Sequence, residues 1–145
     1  MAVSAISTNA DERCGVAARN LPPADADSLW TYIIETDPYR EWAVWPGYEE
    51  LVKGASHSVW LRTYANEIAI EGAREGGMLP YGSIIVKDNF AEDRETLKVV
   101  SPMHRVEGFN PEGGDWFWVN YGGEGKVMAA GKVKACIDCH KADDD

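Results

Sequence analysis

The feature that most constrains this chain lies near the end of the sequence, where Cys136 and Cys139 enclose two residues and His140 follows at once. This C-x-x-C-H pattern is typical of covalent attachment of a c-type haem. Residues three and four positions apart share one face of a helix, so the two thiols and the imidazole can bind the same planar ligand. The pattern predicts a single haem c, joined by thioether bonds to Cys136 and Cys139, with His140 as the proximal ligand of the iron.

Other chemistries use related cysteine patterns and are weaker interpretations here. A structural zinc site needs about four ligands, usually in two pairs, and the residues left over, Cys14, His57 and His104, form no second pair. A thioredoxin-like redox pair is expected at the start of a helix in a βαβ unit, whereas this motif lies close to the C-terminal end. A chance occurrence of the motif is the third alternative. Cys14 is interpreted as a thiol outside the haem site, in a loose N-terminal segment.

The charge balance narrows the class of partner. The chain has 14 basic and 24 acidic residues and a net charge of −10, which disfavours nucleic acids and anionic membrane surfaces. No run approaches the roughly 18 consecutive apolar residues of a membrane span. We therefore expect no nucleic-acid binding and no membrane insertion, and we expect a small ligand and a soluble, basic redox partner.

The chain length is that of a single domain. We expect a haem domain over residues 23–142, preceded by a flexible arm at 1–22 and followed by an acidic tail at 143–145. Residues 1–6 lack the basic and apolar regions of a leader peptide. Because c-type haem is normally attached outside the bacterial cytoplasm, the expected location is the periplasm, with the leader already removed from this sequence.

Local sequence patterns predict an α+β fold. Asp25 or Asp27 can cap a helix that Asp37-Pro38 ends, and residues 66–75 show a second helical pattern that stops at Gly76-Gly77. Runs with strand composition, bounded by turn residues, cover 58–64, 83–87, 97–106 and 115–121. These elements predict a mostly antiparallel β-sheet flanked by a few helices, with the haem attached to a C-terminal helix.

Five segments, taken in order, carry a resemblance to a known family. They are Tyr39-Arg40-Glu41-Trp42, Tyr64-Ala65-Asn66-Glu67, Gly82-Ser83-Ile84-Ile85-Val86-Lys87, Asn110-Pro111-Glu112-Gly113-Gly114-Asp115-Trp116 and the terminal C-x-x-C-H. Their order and spacing, between about residues 25 and 141, resemble the cytochrome P460 family. The resemblance implies a mostly antiparallel β protein, usually a homodimer, that holds one c-type haem with a proximal histidine and an open distal face.

The resemblance leaves two classes of function open. Cytochromes P460 proper oxidise hydroxylamine, with nitric oxide chemistry following from it, and carry a lysine bonded to the haem. The related cytochromes c′-beta lack this bond and bind small gases such as nitric oxide and carbon monoxide in an apolar pocket. A third class, electron transfer, uses a six-coordinate iron, for which the nominal sixth ligands are Met78, Met103, Met128, His57 and His104.

Lys87 lies at the position of the family's cross-linking lysine. Alternate residues of a strand share a face, so Lys87 is expected beside Ile85 and Ser83, opposite to Ile84 and Val86. A solvent-facing lysine that protects a sheet edge is the alternative. The resemblance favours the haem-facing interpretation and makes Lys87 a candidate for an additional bond to the porphyrin.

Two distal positions depart from the enzymes of the family. Met103 stands where those enzymes carry a glutamate that moves protons, and Leu61 stands where they carry an arginine. A thioether cannot act as a general base, and both changes make the pocket more apolar, which suits gas binding. His104 would restore a base if it faced the distal side. Given Lys87, the preferred hypothesis is a haem oxidoreductase acting on hydroxylamine or nitric oxide, with non-enzymatic gas binding as the alternative.

Overall fold

The structure is a computed structural model that describes residues 20–54, 60–134 and 136–138. The predictions made for Cys14, His57, Cys139 and His140 fall outside these residues. So do the acidic tail and all but the last residues of the predicted N-terminal arm.

Helix α1 (Ala26–Thr31) begins where the sequence predicts a cap. The Asp25 carboxylate accepts a hydrogen bond from the Ser28 N–H at 2.9 Å, which satisfies one of the amides that have no partner within the first turn. The helix widens into a π-helical segment (Tyr32–Thr36). Asp37-Pro38 then ends it, because proline pushes the residue before it out of the helical conformation.

Helix α2 (Glu67–Glu75) begins at Asn66 and ends at Gly76. The Asn66 side-chain oxygen accepts hydrogen bonds from the N–H groups of Ala69 at 3.0 Å and Ile84 at 3.1 Å. One side chain therefore caps the helix and also fixes the start of a strand. Gly76 has a φ of 79°, which lies in the region that favours glycine. In the part of the chain that the structure describes, no helix combines the length and the hydropathy that a membrane-spanning helix requires.

The described residues form one sheet of seven strands, in which every pair is antiparallel. The strands are β1 (Ala43–Val44), β2 (Val52–Lys53), β3 (Trp60–Ala65), β4 (Ile84–Phe90), β5 (Leu97–Arg105), β6 (Trp116–Gly122) and β7 (Val127–Gly131). Their order is β1-β3-β4-β5-β6-β7, and β2 also pairs with β3. Short 3₁₀ turns at Tyr39–Glu41 and Pro111–Gly113 precede β1 and β6. This arrangement confirms the predicted α+β class.

Strand β7 has no counterpart among the predicted elements. Its sequence, Val-Met-Ala-Ala-Gly, has no alternation of apolar and polar side chains, so its strand conformation depends on pairing with β6. Strand β4 also continues past Lys87 to Phe90. At the other end of the chain, residues 134 and 136–138 are helical, in agreement with the predicted C-terminal helix.

The two faces of the sheet have different neighbours. On one face, Ile84 and Val86 of β4 join a buried core with Leu29 of α1 and Ile33 of the π-helical segment. Successive side chains of a strand point to opposite faces, so Ile85 and Lys87 point away from this core. On the second face, Ile85 packs against a smaller cluster formed by Ala65, Ala69 and Ile70, and the rest of that face is available for a binding site.

Candidate functional site

A cavity of about 900 Å³ lies against the second face of the sheet. Its floor consists of alternate residues of four adjacent strands, namely Thr63 of β3, Ile85 and Lys87 of β4, Met103 and Arg105 of β5, and Trp116 and Trp118 of β6. Trp45, Tyr48 and two loops, at 77–79 and 112–114, provide the walls. Ile137, which lies inside the C-x-x-C-H motif, also lines the cavity. The structure therefore brings the motif helix and the Lys87 strand to one cavity.

Strand register explains why Lys87 and Met103 share this cavity. Lys87 pairs with Thr63, and Ile85 pairs with Met103. Directly opposed residues of neighbouring strands point to the same face. Val86, between Ile85 and Lys87, is fully buried in the core on the other face. The structure thus agrees with the alternation predicted for this strand, and Lys87 does not point to solvent from a sheet edge.

The position of His104 corrects the sequence analysis. His104 follows Met103 directly on β5, so its side chain points to the opposite face, where it pairs with Ile84 and Phe117 and is 2% exposed. Burial lowers the pKa of the imidazole to about 4, so the ring is neutral near pH 7. No described residue forms a hydrogen bond with its Nδ1 atom. His104 is a core residue and cannot act as a base in the cavity.

Leu61 lies on the cavity face of β3 but does not line the cavity. It pairs with Asn89 of β4, and this pair lies two residues along the strands from the pair formed by Thr63 and Lys87. On its other side, Leu61 pairs with Val52 of β2. The position that the resemblance assigned to a distal arginine is therefore at the margin of the site.

The fold places some of the nominal sixth ligands of iron in the cavity and others outside it. Met78 and Met103 line the cavity, whereas Met128 is 61% exposed on β7. Met78 is itself 73% exposed, so it lies at the mouth of the cavity. Met103 is thus the one methionine of the described residues that lies on the cavity floor.

Comparison with protein families agrees with this geometry. The family model for cytochrome P460 matches residues 36–145, which is well over half of the chain. The chain belongs to the cytochrome P460 family. It is accordingly a c-type haem protein. A comparison with curated proteins gives no match.

The cavity of this cytochrome P460 family member fits a haem. Pockets for small molecules and cofactors usually measure about 300–1,000 Å³ and are lined mainly by apolar and aromatic groups. Trp116 and Trp118 supply broad aromatic surfaces on the floor, and Ile137 closes the cavity from the motif helix. Cys136, directly before Ile137, is half-buried. The thioether bonds and the proximal ligand remain predictions, because Cys139 and His140 lie outside the described residues.

Arg105 is a site residue that the sequence analysis missed. It is 9% exposed, and its guanidinium donates hydrogen bonds to the carbonyl of Gly114 at 3.0 Å and to that of Leu79. The same group lies 4.5 Å from the centre of the Tyr81 ring. The available signal was its position two residues after Met103 on one strand, which places both side chains on one face.

The cytochrome P460 motif Tyr39-Arg40 has a structural role behind the cavity. The Tyr39 hydroxyl donates a hydrogen bond to the Asp88 carboxylate at 2.5 Å, and Arg40 Nε lies 3.5 Å from the other carboxylate oxygen. Burial raises the pKa of Asp88, and hydrogen bonding by Tyr39 and the charges of Arg40 and Arg62 oppose that shift. Because Asp88 directly follows Lys87, these contacts hold β4 from the core side and leave Lys87 on the cavity side.

Proposed function

We propose that this protein is a haem oxidoreductase of the cytochrome P460 type, which oxidises hydroxylamine, nitric oxide or both at an open distal site. The observation that carries the proposal is that Lys87 lines the same cavity as Ile137 of the C-x-x-C-H segment. When bound, haem c supplies an iron coordination site and one-electron redox chemistry. Cys136, Cys139 and His140 would hold it, and the Lys87 amine would form an additional bond to the porphyrin edge.

The surroundings of Lys87 favour that bond. The ion pairs of the described residues do not include Lys87. Lys87 is half-buried and its cross-strand neighbour Thr63 is 4% exposed, so a haem that fills the cavity would remove water from the amine. Removing water from an unpaired ammonium costs several kcal/mol. A bonded nitrogen does not carry that charge, so the linked form avoids the cost. The bond would replace one amine N–H and one porphyrin C–H, and a two-electron oxidant such as a peroxide would take up the two electrons released.

Proton transfer is the weak part of this proposed active site. Oxidation of hydroxylamine releases protons, and the Met103 thioether cannot accept them. Among the described residues that line the cavity, Glu112 is the one carboxylate, and it is exposed to solvent on a loop. A missing general base typically costs about 10²–10⁴ in rate. We therefore expect slow turnover of hydroxylamine.

Gas binding in the manner of the cytochromes c′-beta is the second candidate function. The observation that favours it is the apolar strip of floor formed by Ile85, Met103 and Trp118. A neutral diatomic ligand needs no proton acceptor, so this strip suits it without further residues. Gas binding also requires no bond from Lys87.

The optical spectrum of the purified holoprotein separates the two functions. A bond from Lys87 shifts and broadens the reduced Soret band, and Lys87→Arg should restore an ordinary c-type spectrum. The matched control is Lys98→Arg, because Lys98 is an exposed lysine on the neighbouring strand, and this variant should keep the wild-type spectrum. Peptide mapping should find Lys87 attached to the haem. An ordinary c-type spectrum in the wild type, with no hydroxylamine oxidation, would rule out the oxidoreductase and leave gas binding.

We further propose a periplasmic homodimer that exchanges electrons with a soluble partner. The family resemblance supports the dimer, and the net charge of −10 supports a partner with a basic surface. Light scattering on the holoprotein measures the first point directly, and a monomer at micromolar concentration would contradict it.

A further inference from the structure

We infer that Arg105 binds a propionate carboxylate of the haem and thereby fixes the orientation of the haem in the cavity. The inference rests on haem binding, which the proposed function shares, and needs neither the Lys87 bond nor hydroxylamine oxidation. It goes beyond the contacts of the C-x-x-C-H motif because it assigns a partner to the polar edge of the cofactor.

The guanidinium of Arg105 is held in place before any ligand arrives. Its Nε donates to the Gly114 carbonyl at 3.0 Å, its Nη1 donates to the Leu79 carbonyl, and its plane lies over the Tyr81 ring. These contacts join the loops 77–79 and 112–114, which form two walls of the cavity. An ordered guanidinium loses little side-chain entropy when it forms further hydrogen bonds.

The same guanidinium keeps donors for a ligand. Arginine carries five N–H donors, and the two contacts to Gly114 and Leu79 use two of them. Among the described residues, no carboxylate forms an ion pair with Arg105. A planar guanidinium that lines a cavity and has donors to spare matches a carboxylate, which it can bind through two parallel hydrogen bonds.

The charges around Arg105 are consistent with an anionic group at this end of the cavity. The charge of Arg105 acts on the nearby Asp115 carboxylate, but the ion pairs of the described residues do not join the two. The Asp115 carboxylate instead accepts hydrogen bonds from the Tyr81 hydroxyl at 2.9 Å and from the Asn110 N–H at 3.0 Å. Glu112 is exposed on its loop, where solvent screens its charge. An arginine that is 9% exposed is screened less, so its attraction for a carboxylate dominates over repulsion from Glu112.

The two cations of the floor lie at opposite ends of it. Lys87 pairs with Ser101, and Arg105 lies four residues farther along β5. At about 3.4 Å per residue, the two positions are roughly 14 Å apart along the strand, with Met103 between them. A single planar group can therefore meet Lys87 at one edge and Arg105 at another, while the apolar strip lies beneath its centre.

The competing explanation is that Arg105 only holds the two loops together. Four variants of the haem-loaded protein separate these roles. Arg105→Gln removes the charge, and Arg105→Lys keeps the charge without the planar fork. Tyr81→Phe loosens the same loops by removing the hydrogen bond to Asp115, and Glu112→Gln changes the charge at the same rim without altering the guanidinium.

The measurements are the propionate bending band in the resonance Raman spectrum and the midpoint potential of the haem. Arg105→Gln should shift the band and lower the potential, because loss of a nearby positive charge disfavours the reduced iron. Arg105→Lys should shift the band and change the potential less. Tyr81→Phe should shift the band less than Arg105→Gln does, because the guanidinium stays in place, and Glu112→Gln should leave the band in place.

An unchanged band in Arg105→Gln would overturn the inference, and so would an equal shift in Tyr81→Phe. If Arg105→Gln fails to accumulate haem protein, Arg105→Lys decides, since an unchanged band in that variant also overturns it. These readouts do not depend on turnover. A wild-type protein with an ordinary c-type spectrum and no hydroxylamine oxidation would refute the proposed oxidoreductase function. It would leave the inference about Arg105 standing.

Discussion

At the scale of single residues, Met103 and His104 show that the face to which a strand residue points determines the chemistry that is open to it. Both residues are plausible distal groups in the sequence, and the structure assigns Met103 to the cavity and His104 to the core. The preceding run, Val99-Val100-Ser101-Pro102, does not alternate apolar and polar residues, so it does not indicate which face is buried. The phase becomes evident only from the pairing of Met103 with Ile85, which is a contact between distant parts of the chain.

The first prediction concerns the missing base. Met103→Glu should raise kcat/KM for hydroxylamine by up to about 10²-fold, because a carboxylate on the cavity floor can accept protons that a thioether cannot. Met103→Gln is the matched control, since it has the same size and cannot act as a base. Steady-state assays with an artificial electron acceptor measure both. Equal activation by Met103→Gln would show that polarity, and not proton acceptance, limits the wild type.

The second prediction follows from the buried imidazole of His104. Its pKa is about 4 in the folded protein and 6.5 in the unfolded chain, so the unfolded chain takes up the proton first as the pH falls. The free energy of unfolding should therefore be unaffected by His104 above pH 6.5 and should decline between pH 6.5 and 4, by roughly 3 kcal/mol at most. Urea titrations across this range should show a shallower decline in His104→Leu. Identical slopes in the two proteins would contradict the burial of a neutral imidazole.

Strand β4 connects the core with the candidate site, because one of its faces packs in the core and the other lines the cavity. Its start is fixed by Asn66, which bonds the Ile84 N–H, and its centre by the contact between Tyr39 and Asp88. Helix limits such as Asn66 could be predicted because a cap is a local signal. The contact of Asp88 with Tyr39 joins residues 49 positions apart, and no periodicity of the sequence indicates it.

The third prediction tests that contact. Tyr39→Phe leaves the buried Asp88 carboxylate without its closest donor, and should lower the free energy of unfolding by about 1–3 kcal/mol. It should also reduce the fraction of protein in which Lys87 is bonded to haem, while the haem remains attached through the cysteines. Denaturant unfolding and peptide mapping measure the two effects.

Tyr32→Phe is the control for Tyr39→Phe. The Tyr32 hydroxyl lies 3.4 Å from the Asp37 carboxylate, which is long for an O–H···O hydrogen bond. Its removal should cost under about 1 kcal/mol and leave the proposed bond between Lys87 and haem unaffected. A larger loss of stability from Tyr32→Phe than from Tyr39→Phe would contradict the conclusion that the contact between Tyr39 and Asp88 anchors strand β4.

At the scale of the whole molecule, the cavity is assembled from segments that lie far apart in the sequence. The floor comes from four strands, and the walls come from the loops 77–79 and 112–114. The C-x-x-C-H motif and the resemblance could predict haem c and the position of Lys87 on the cavity face, because both are carried by short segments. They could not predict Arg105, whose role depends on Leu79 and Gly114 meeting across the cavity mouth.

The last prediction follows from the charge of the molecule as a whole. A net charge of −10 should attract a cationic redox partner, and this attraction weakens as salt shortens the Debye length from about 30 Å at 0.01 M to about 10 Å at 0.1 M. Electron transfer from the reduced protein to a basic cytochrome should therefore slow as salt is added. Transfer to ferricyanide, an anionic acceptor, should accelerate, because salt screens repulsion instead. Stopped-flow measurements with both acceptors give the direction in which salt changes each rate. If the rate with the basic cytochrome is independent of salt, docking uses an uncharged surface.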